Sequence, residues 1–264
     1  MSLSEVFSRA QAENRAALIV YITAGDPSLD ATVDLGVALH EAGTDLVELG
    51  LPYSDPLADG PIIQAAGQRA LAAGATVAGV LDAARRIRER VPLPLLIMTC
   101  FNPILQFGPE RFAEQAAAAG VSAVLISDLP PEESAEWTEI AARHGVETVF
   151  LVAPTTEPER LKLACDLSTG FVYVVSRAGV TGVRESLPPE LPALVGRLRG
   201  ITGRPLAVGF GLSSPEHVAA VAQIADGAIV GSAVVRVIGE KGAGSEMVEA
   251  VTALVRRLRA ATAR

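Results

Sequence analysis

The chain is poor in the side chains that most often carry covalent or metal chemistry. It has two lysines, Lys162 and Lys241, and neither falls at the end of a predicted strand, so Schiff-base chemistry has no evident nucleophile. Two cysteines, Cys100 and Cys165, are too few for a disulfide framework, and neither has a histidine partner at a strand end. His40, His144 and His217 all fall on predicted helices and are expected on the outer surface. No group of His, Cys and carboxylate residues has metal-ligand spacing. Long apolar runs are missing too: none reaches the roughly 18 residues of a membrane span. The start, MSLSEVFSRAQAEN, is not a signal peptide. A net charge of −8 argues against broad attraction to nucleic acid or to an anionic membrane. These absences predict a cytoplasmic protein, and they leave carboxylates and tyrosines as candidate catalytic groups.

What is present is rhythm. Half of the 264 residues are hydrophobic, enough for one large core or two small ones. β-Branched runs alternate with Ala-rich stretches of helical spacing along the whole length. The runs are ALIVYITA from Ala17, LVELGLP from Leu46, PLLIMTCF from Pro94, AVLISDLP from Ala123, ETVFLVAP from Glu147, FVYVVSRA from Phe171, PLAVGFGL from Pro205 and GAIVGSAVV from Gly227. Most are apolar on both faces, as parallel strands covered by helices are. Between them lie DATVDLGVALHEAG, VAGVLDAARRIRERV, ERFAEQAAAAG, ESAEWTEIAARHG, PEHVAAVAQIA and MVEAVTALVRRLRAAT, several closing on Gly or on basic residues. Eight β-then-α units of roughly 30 residues predict an α/β fold, one closed (β/α)8 TIM barrel over residues 1–264. The leading LSEVFSRAQAEN is expected to form an additional N-terminal helix over the barrel floor, and Cys100 to help fill the barrel.

Such barrels build their sites at the carboxyl ends of the strands. Glu48 stands inside the second strand, where a buried carboxylate is costly unless it is paired or protonated. Burial there would raise its pKa into the range where one group can both give and take a proton. Asp59, in the loop that follows, is either a second functional acid or a capping acid for the helix starting at PIIQ. Gly179, Gly182, Gly209, Gly211 and Gly231 cluster at the ends of the last three strands and let backbone approach a ligand closely. Phosphate sites in these barrels lie after strands seven and eight, so a helix after Gly231–Ser232 is expected to hold an anion at its N-terminus.

The segments YITAGDP, VELGLPYSDPLADGPIIQ, SDLPPEES, FVYVVSRAGVTG and GFGLSSPE, with GSAVV following, resemble the alpha subunit family of tryptophan synthase, in the family's order and spacing from end to end. The resemblance implies a carbon–carbon lyase that cleaves indole-3-glycerol phosphate to indole and glyceraldehyde 3-phosphate by a retro-aldol reaction. It places the catalytic acids on Glu48 and Asp59, and the indole pocket on Tyr21, Met98, Leu125, Leu151 and Tyr173. Phosphate contacts fall on Gly182, Gly211, Gly231 and Ser232, and Thr181 is expected to brace the acid loop. The resemblance implies no cofactor in this chain. Pyridoxal phosphate would belong to a beta subunit, which receives the indole in an alpha2beta2 assembly. The segment MTCFNPI departs from the family's tyrosines before Asn-Pro, with Cys100 and Phe101 in their place. A free-standing lyase, a non-catalytic regulatory subunit and another phosphosugar barrel are the competing readings. The last gives no reason for LPYSDPLADGP.

Overall fold

The computed structural model describes residues 2–57, 59–176 and 187–264. Eight parallel strands run in chain order around a closed barrel, and the eighth pairs back to the first. They are β1 (Ala17–Thr23), β2 (Leu46–Gly50), β3 (Leu95–Thr99), β4 (Ala123–Ile126), β5 (Glu147–Val152), β6 (Val172–Val175), β7 (Leu206–Gly209) and β8 (Gly227–Val230). This is the α/β (β/α)8 TIM barrel that the alternation predicts. Alternate residues explain why the strands are apolar on both faces. Leu18, Val20, Val47 and Leu49 pack outward into the helix layer. Ile19, Leu46, Leu96, Leu125, Phe171 and Ile229 fill the interior.

The helices among the described residues are α1 (Leu3–Ala12), α2 (Leu29–Glu41), α3 (Pro61–Ala72), α4 (Val77–Arg90), α5 (Phe101–Phe107), α6 (Pro109–Ala118), α7 (Ala135–Arg143), α8 (Pro158–Leu167), α9 (Leu191–Arg199), α10 (Pro215–Ala222), α11 (Ser232–Lys241) and α12 (Ser245–Ala260). The connections after β2, β3 and β8 each carry two helices; those opening at PIIQ and after Gly231 are expected from the sequence, and α5 is not. α1 closes the floor. Leu3, Val6, Phe7 and Ala10 join the barrel interior, and the rings of Phe7 and Phe171 lie 5.5 Å apart. A capping box between Ser2 and Glu5 starts that helix.

Four local expectations fail for physical reasons. The strand predicted as PLLIMTCF stops at Thr99, and its last residue, Phe101, instead opens the short helix α5, since Pro103 falls in a first turn where no intrahelical bond is lost. Cys100 therefore sits at the cap of α5, partly exposed, rather than inside the barrel. The strand predicted through GSAVV stops at Val230, because Gly231 turns the chain and packing then holds its valines in α11 despite their β preference. His217 is not an outer-surface residue. It is 8% exposed, on the inner side of α10 with Val218 and Val221.

Candidate active site

Strand β2 is buried along its whole length, and its inward residues are Leu46 low in the barrel and Glu48 above it. Glu48 lies beside Tyr21 of β1 and Leu96 of β3 in the strand register. It is 2% exposed, and its Oε1 has no hydrogen-bond partner. Loss of water alone pushes its pKa from 4.5 up to about 8. Glu48 is therefore an uncharged carboxylic acid at neutral pH.

Asp59 comes from the loop after β2. The loop is held by its own backbone, with Asp59 N–H donating to the Pro56 carbonyl at 3.1 Å. Gln64 of α3 reaches back to the Asp59 and Pro56 carbonyls at 2.8 and 3.2 Å. Partial burial raises the Asp59 pKa to about 6. At pH 7 Asp59 is mostly ionised while Glu48 is protonated. Two carboxylates of one site are thus set in different charge states by different degrees of burial.

The two acids share one cavity, partly open to solvent. Tyr21, Met98, Tyr173, Ile63, Phe210, Leu212 and Ile229 give it an apolar, aromatic wall, and Gly211, Gly231 and Ser232 form its far end. Burial raises the pKa of both Tyr21 and Tyr173, so their hydroxyls stay protonated as donors. Glycine makes room for both rings. A Cβ at Gly50 would lie 2.1 Å from the Tyr21 hydroxyl oxygen, and one at Gly209 would lie 2.4 Å from that of Tyr173. At the far end Gly231 is the cap of α11 and no side chain caps that helix; the Val234 and Val235 N–H groups donate to the Gly231 carbonyl at 2.9 and 3.1 Å, which leaves those of Ser232 and Ala233 for a ligand. Gly211, at φ 86°, adopts the left-handed backbone that favours glycine.

Of the residues expected from the sequence, the structure brings Glu48, Asp59, Tyr21, Met98, Tyr173, Gly211, Gly231 and Ser232 to one cavity. Leu125 is fully buried within the barrel, and Leu151 packs against the same cluster; neither lines the cavity. Thr181 and Gly182 lie outside the described residues. Ile63, Phe210, Leu212 and Ile229 were not singled out from the sequence. Ile229 could have been found by strand parity, two residues before Gly231, and Phe210 from its place within GFG.

A second, smaller recess opens beside the first and shares Tyr21, Asp59, Ile63 and Met98 with it. Tyr53, Thr99 and Ser127 line its other side. Among the described residues, no group of three or more His, Cys, Asp or Glu is placed to hold a metal ion, and no helix is long and apolar enough to cross a membrane.

Comparison with known proteins agrees with this geometry. The family model described as tryptophan synthase alpha chain matches residues 7–263. The tryptophan synthase alpha chain of Solibacter usitatus is 49% identical over 94% of this chain and 92% of its own length. That of Geobacter sulfurreducens is 46% identical over 98% of both. Among solved structures, Mycobacterium tuberculosis tryptophan synthase superposes with a TM-score of 0.92 at 40% identity, covering 99% of this chain and 98% of that one. The subunit alpha from Legionella pneumophila gives 0.91 at 37% identity, with the same coverage. The chain belongs to the tryptophan synthase alpha chain family, lyases that cleave indole-3-glycerol phosphate.

Proposed function

We propose that Glu48 and Asp59 divide the cleavage of indole-3-glycerol phosphate between them, inside a single-domain barrel that needs no cofactor of its own. One observation carries this reading: Glu48 is buried with an unpartnered oxygen, in the same cavity as a second acid and an anion-accepting helix end. The indole ring lies among Tyr21, Met98 and Tyr173, with Leu125 and Leu151 beside Met98 and Tyr173 in the strand register. The phosphate lies at Gly211, Gly231 and Ser232, completed by Gly182. Protonated Glu48 gives its proton to the ring carbon that bears the side chain. The positive charge this places on the ring is shared with nitrogen, where ionised Asp59 stabilises it. The Glu48 carboxylate then takes the proton from the adjacent hydroxyl. The carbon–carbon bond breaks, its electron pair returns to the ring, and the hydroxyl carbon becomes the aldehyde of glyceraldehyde 3-phosphate. Glu48 ends as it began, protonated.

The side chamber at Tyr53 and Thr99 supports a path for released indole toward a partner. The partner is a beta subunit carrying pyridoxal phosphate, in an alpha2beta2 complex in the cytoplasm, docked on the loops of Pro52, Asp55, Asn102 and Pro130. Thr181 braces the acid loop once ligand is bound.

The test is indole release. Glu48→Gln and Asp59→Asn should each lower turnover by about 10²–10⁴-fold, measured with and without a beta subunit, while binding of glycerol 3-phosphate is kept. Near-normal turnover in either variant removes that residue from the mechanism. The two pKa values also predict the pH profile. Activity, as kcat/KM, should fall as pH rises through about 8, where Glu48 loses its proton. It should also fall as pH drops through about 6, where Asp59 is neutralised.

A further inference from the structure

Phe210 and Asn14 are the non-glycine residues with positive φ among those described, at 67° and 54°. Asparagine tolerates that region, whereas a bulky aromatic residue enters it only where its surroundings hold it there. Ser176, just past the end of β6 and 2% exposed, supplies the hold. Its hydroxyl donates to the Phe210 carbonyl at 2.5 Å, and its N–H donates to the Gly209 carbonyl at 3.1 Å. Ser176 is not itself part of the cavity wall. The Phe210 ring is part of it, standing edge-on to Tyr173 with centroids 5.7 Å apart.

The carbonyl of Phe210 and the N–H of Gly211 belong to one planar peptide unit, in which they point in opposite directions. With the carbonyl drawn toward β6, the Gly211 N–H is turned toward β8, the neighbour on the other side of β7. There Gly231 and Ser232 form the rest of the cavity's far end. No backbone acceptor for the Gly211 N–H lies among the described residues.

We propose that Ser176 is a positioning residue for phosphate binding: its hydroxyl fixes the Phe210–Gly211 peptide so that the Gly211 N–H faces the anion while the Phe210 ring stays against Tyr173. This rests on the reading that the phosphate lies between Gly211 and Gly231. Without the hydroxyl this hold on ψ at Phe210 is lost, and the N–H can turn off the anion.

The experiment follows the amide resonances of Gly211 and Gly231 as sn-glycerol 3-phosphate is added to the whole chain, alongside the kinetics of cleavage. In Ser176→Ala, affinity for the probe should weaken about tenfold, roughly 1.4 kcal/mol or one charge-assisted hydrogen bond. KM should rise similarly, with kcat within about threefold of the parent enzyme, because neither acid is touched. Ser176→Thr keeps the hydroxyl and should restore both binding and KM. Ser176→Cys keeps the volume with a weak donor, should fall between them, and serves if the alanine variant does not fold. Parental affinity and an unchanged Gly211 response in Ser176→Ala would overturn the proposal, as would a fall in kcat at constant KM. If Gly211 and Gly231 do not respond even in the parent protein, the phosphate placement is wrong and the inference falls with it. Those two failures are told apart by the parent titration alone.

Discussion

Two acids on one stretch of chain, three residues apart, meet opposite fates. Asp45 sits just below β2 at the barrel floor and is 2% exposed. Arg15 grips it with both terminal nitrogens at 2.6 and 2.8 Å, the Leu18 N–H donates to it at 2.8 Å, and Arg9 reaches it at 3.2 Å. Glu48, equally buried, keeps an oxygen with no partner at all. A buried charge is tolerable when it is paired and hydrogen-bonded. At the floor the chain supplies the partners, and so gains a fastening between β2 and the segment leading from α1 into β1. At the top it withholds them, and so gains an acid that holds its proton at neutral pH. Both acids are buried, and only their neighbours distinguish a paired carboxylate from one that keeps its proton.

The largest stability effect should therefore come from the floor. Arg15→Ala leaves the Asp45 carboxylate buried with half of its donors gone, and breaking a buried pair on one side typically costs about 3–5 kcal/mol. Urea unfolding would measure it, while kcat under conditions where the variant is folded should stay within about threefold. If Arg15→Ala instead cut turnover as deeply as Glu48→Gln, the division between a fastening floor and a reactive rim would be lost.

The second prediction concerns Glu48 and stability. Burial raises its folded-state pKa above the 4.5 of the free side chain to about 8, so the folded form binds the proton more tightly than the unfolded chain does. Stability is intact below about 4.5, declines as pH rises, and above about 8 carries the whole cost of a buried charge. At roughly 1.4 kcal/mol per pH unit that cost has an upper bound near 5 kcal/mol. Water in the cavity screens part of it, so about 2 kcal/mol is the expected effect. Glu48→Gln has no charge to bury. It should match the parent near pH 4 and be the more stable protein at pH 9, even as it loses turnover. Parallel stability curves for the two proteins across that range would show that Glu48 is not held protonated by the fold.

The sequence carried this contrast unevenly. The barrel was legible because strands buried on both faces must be apolar throughout, and a lone Glu48 in such a run is conspicuous. Asp45 was not: at the helix-to-strand turn of EAGTDLVEL an acid looks solvated, and its partner Arg15 lies 30 residues earlier. Of the doubled helices only α5 was hidden, in a connection where Pro103 suggests a loop. Gly211, Gly231 and Ser232 were legible from the glycine-rich strand ends, whereas Tyr21, Met98 and Tyr173 came through motif resemblance. Phe210 and Ile63 depended on backbone turns and on helix rotation, which residue type alone does not encode. Leu125 and Leu151 have the inward parity of a pocket residue and stand in register with Met98 and Tyr173, yet neither lines the cavity, so parity and register together do not decide which inward side chain meets a ligand.

The smallest prediction sharpens the floor itself. Arg9 is the third cation-bearing contact on that network, but its side chain is 44% exposed and it holds only one oxygen of Asp45. Water can replace it there, and exposed or half-exposed pairs contribute about 0.2–1 kcal/mol. Arg9→Ala should cost no more than that, and added salt should narrow the difference further. A double-mutant cycle with Arg15→Ala would isolate any coupling. In the double variant the remaining floor donor to Asp45 is the Leu18 N–H, so Arg9 should matter more once Arg15 is gone. A loss above about 2 kcal/mol for Arg9→Ala alone would mean that Asp45 depends on all of its partners at once. The floor would then be as finely poised as the rim, and the asymmetry between Asp45 and Glu48 would be one of degree.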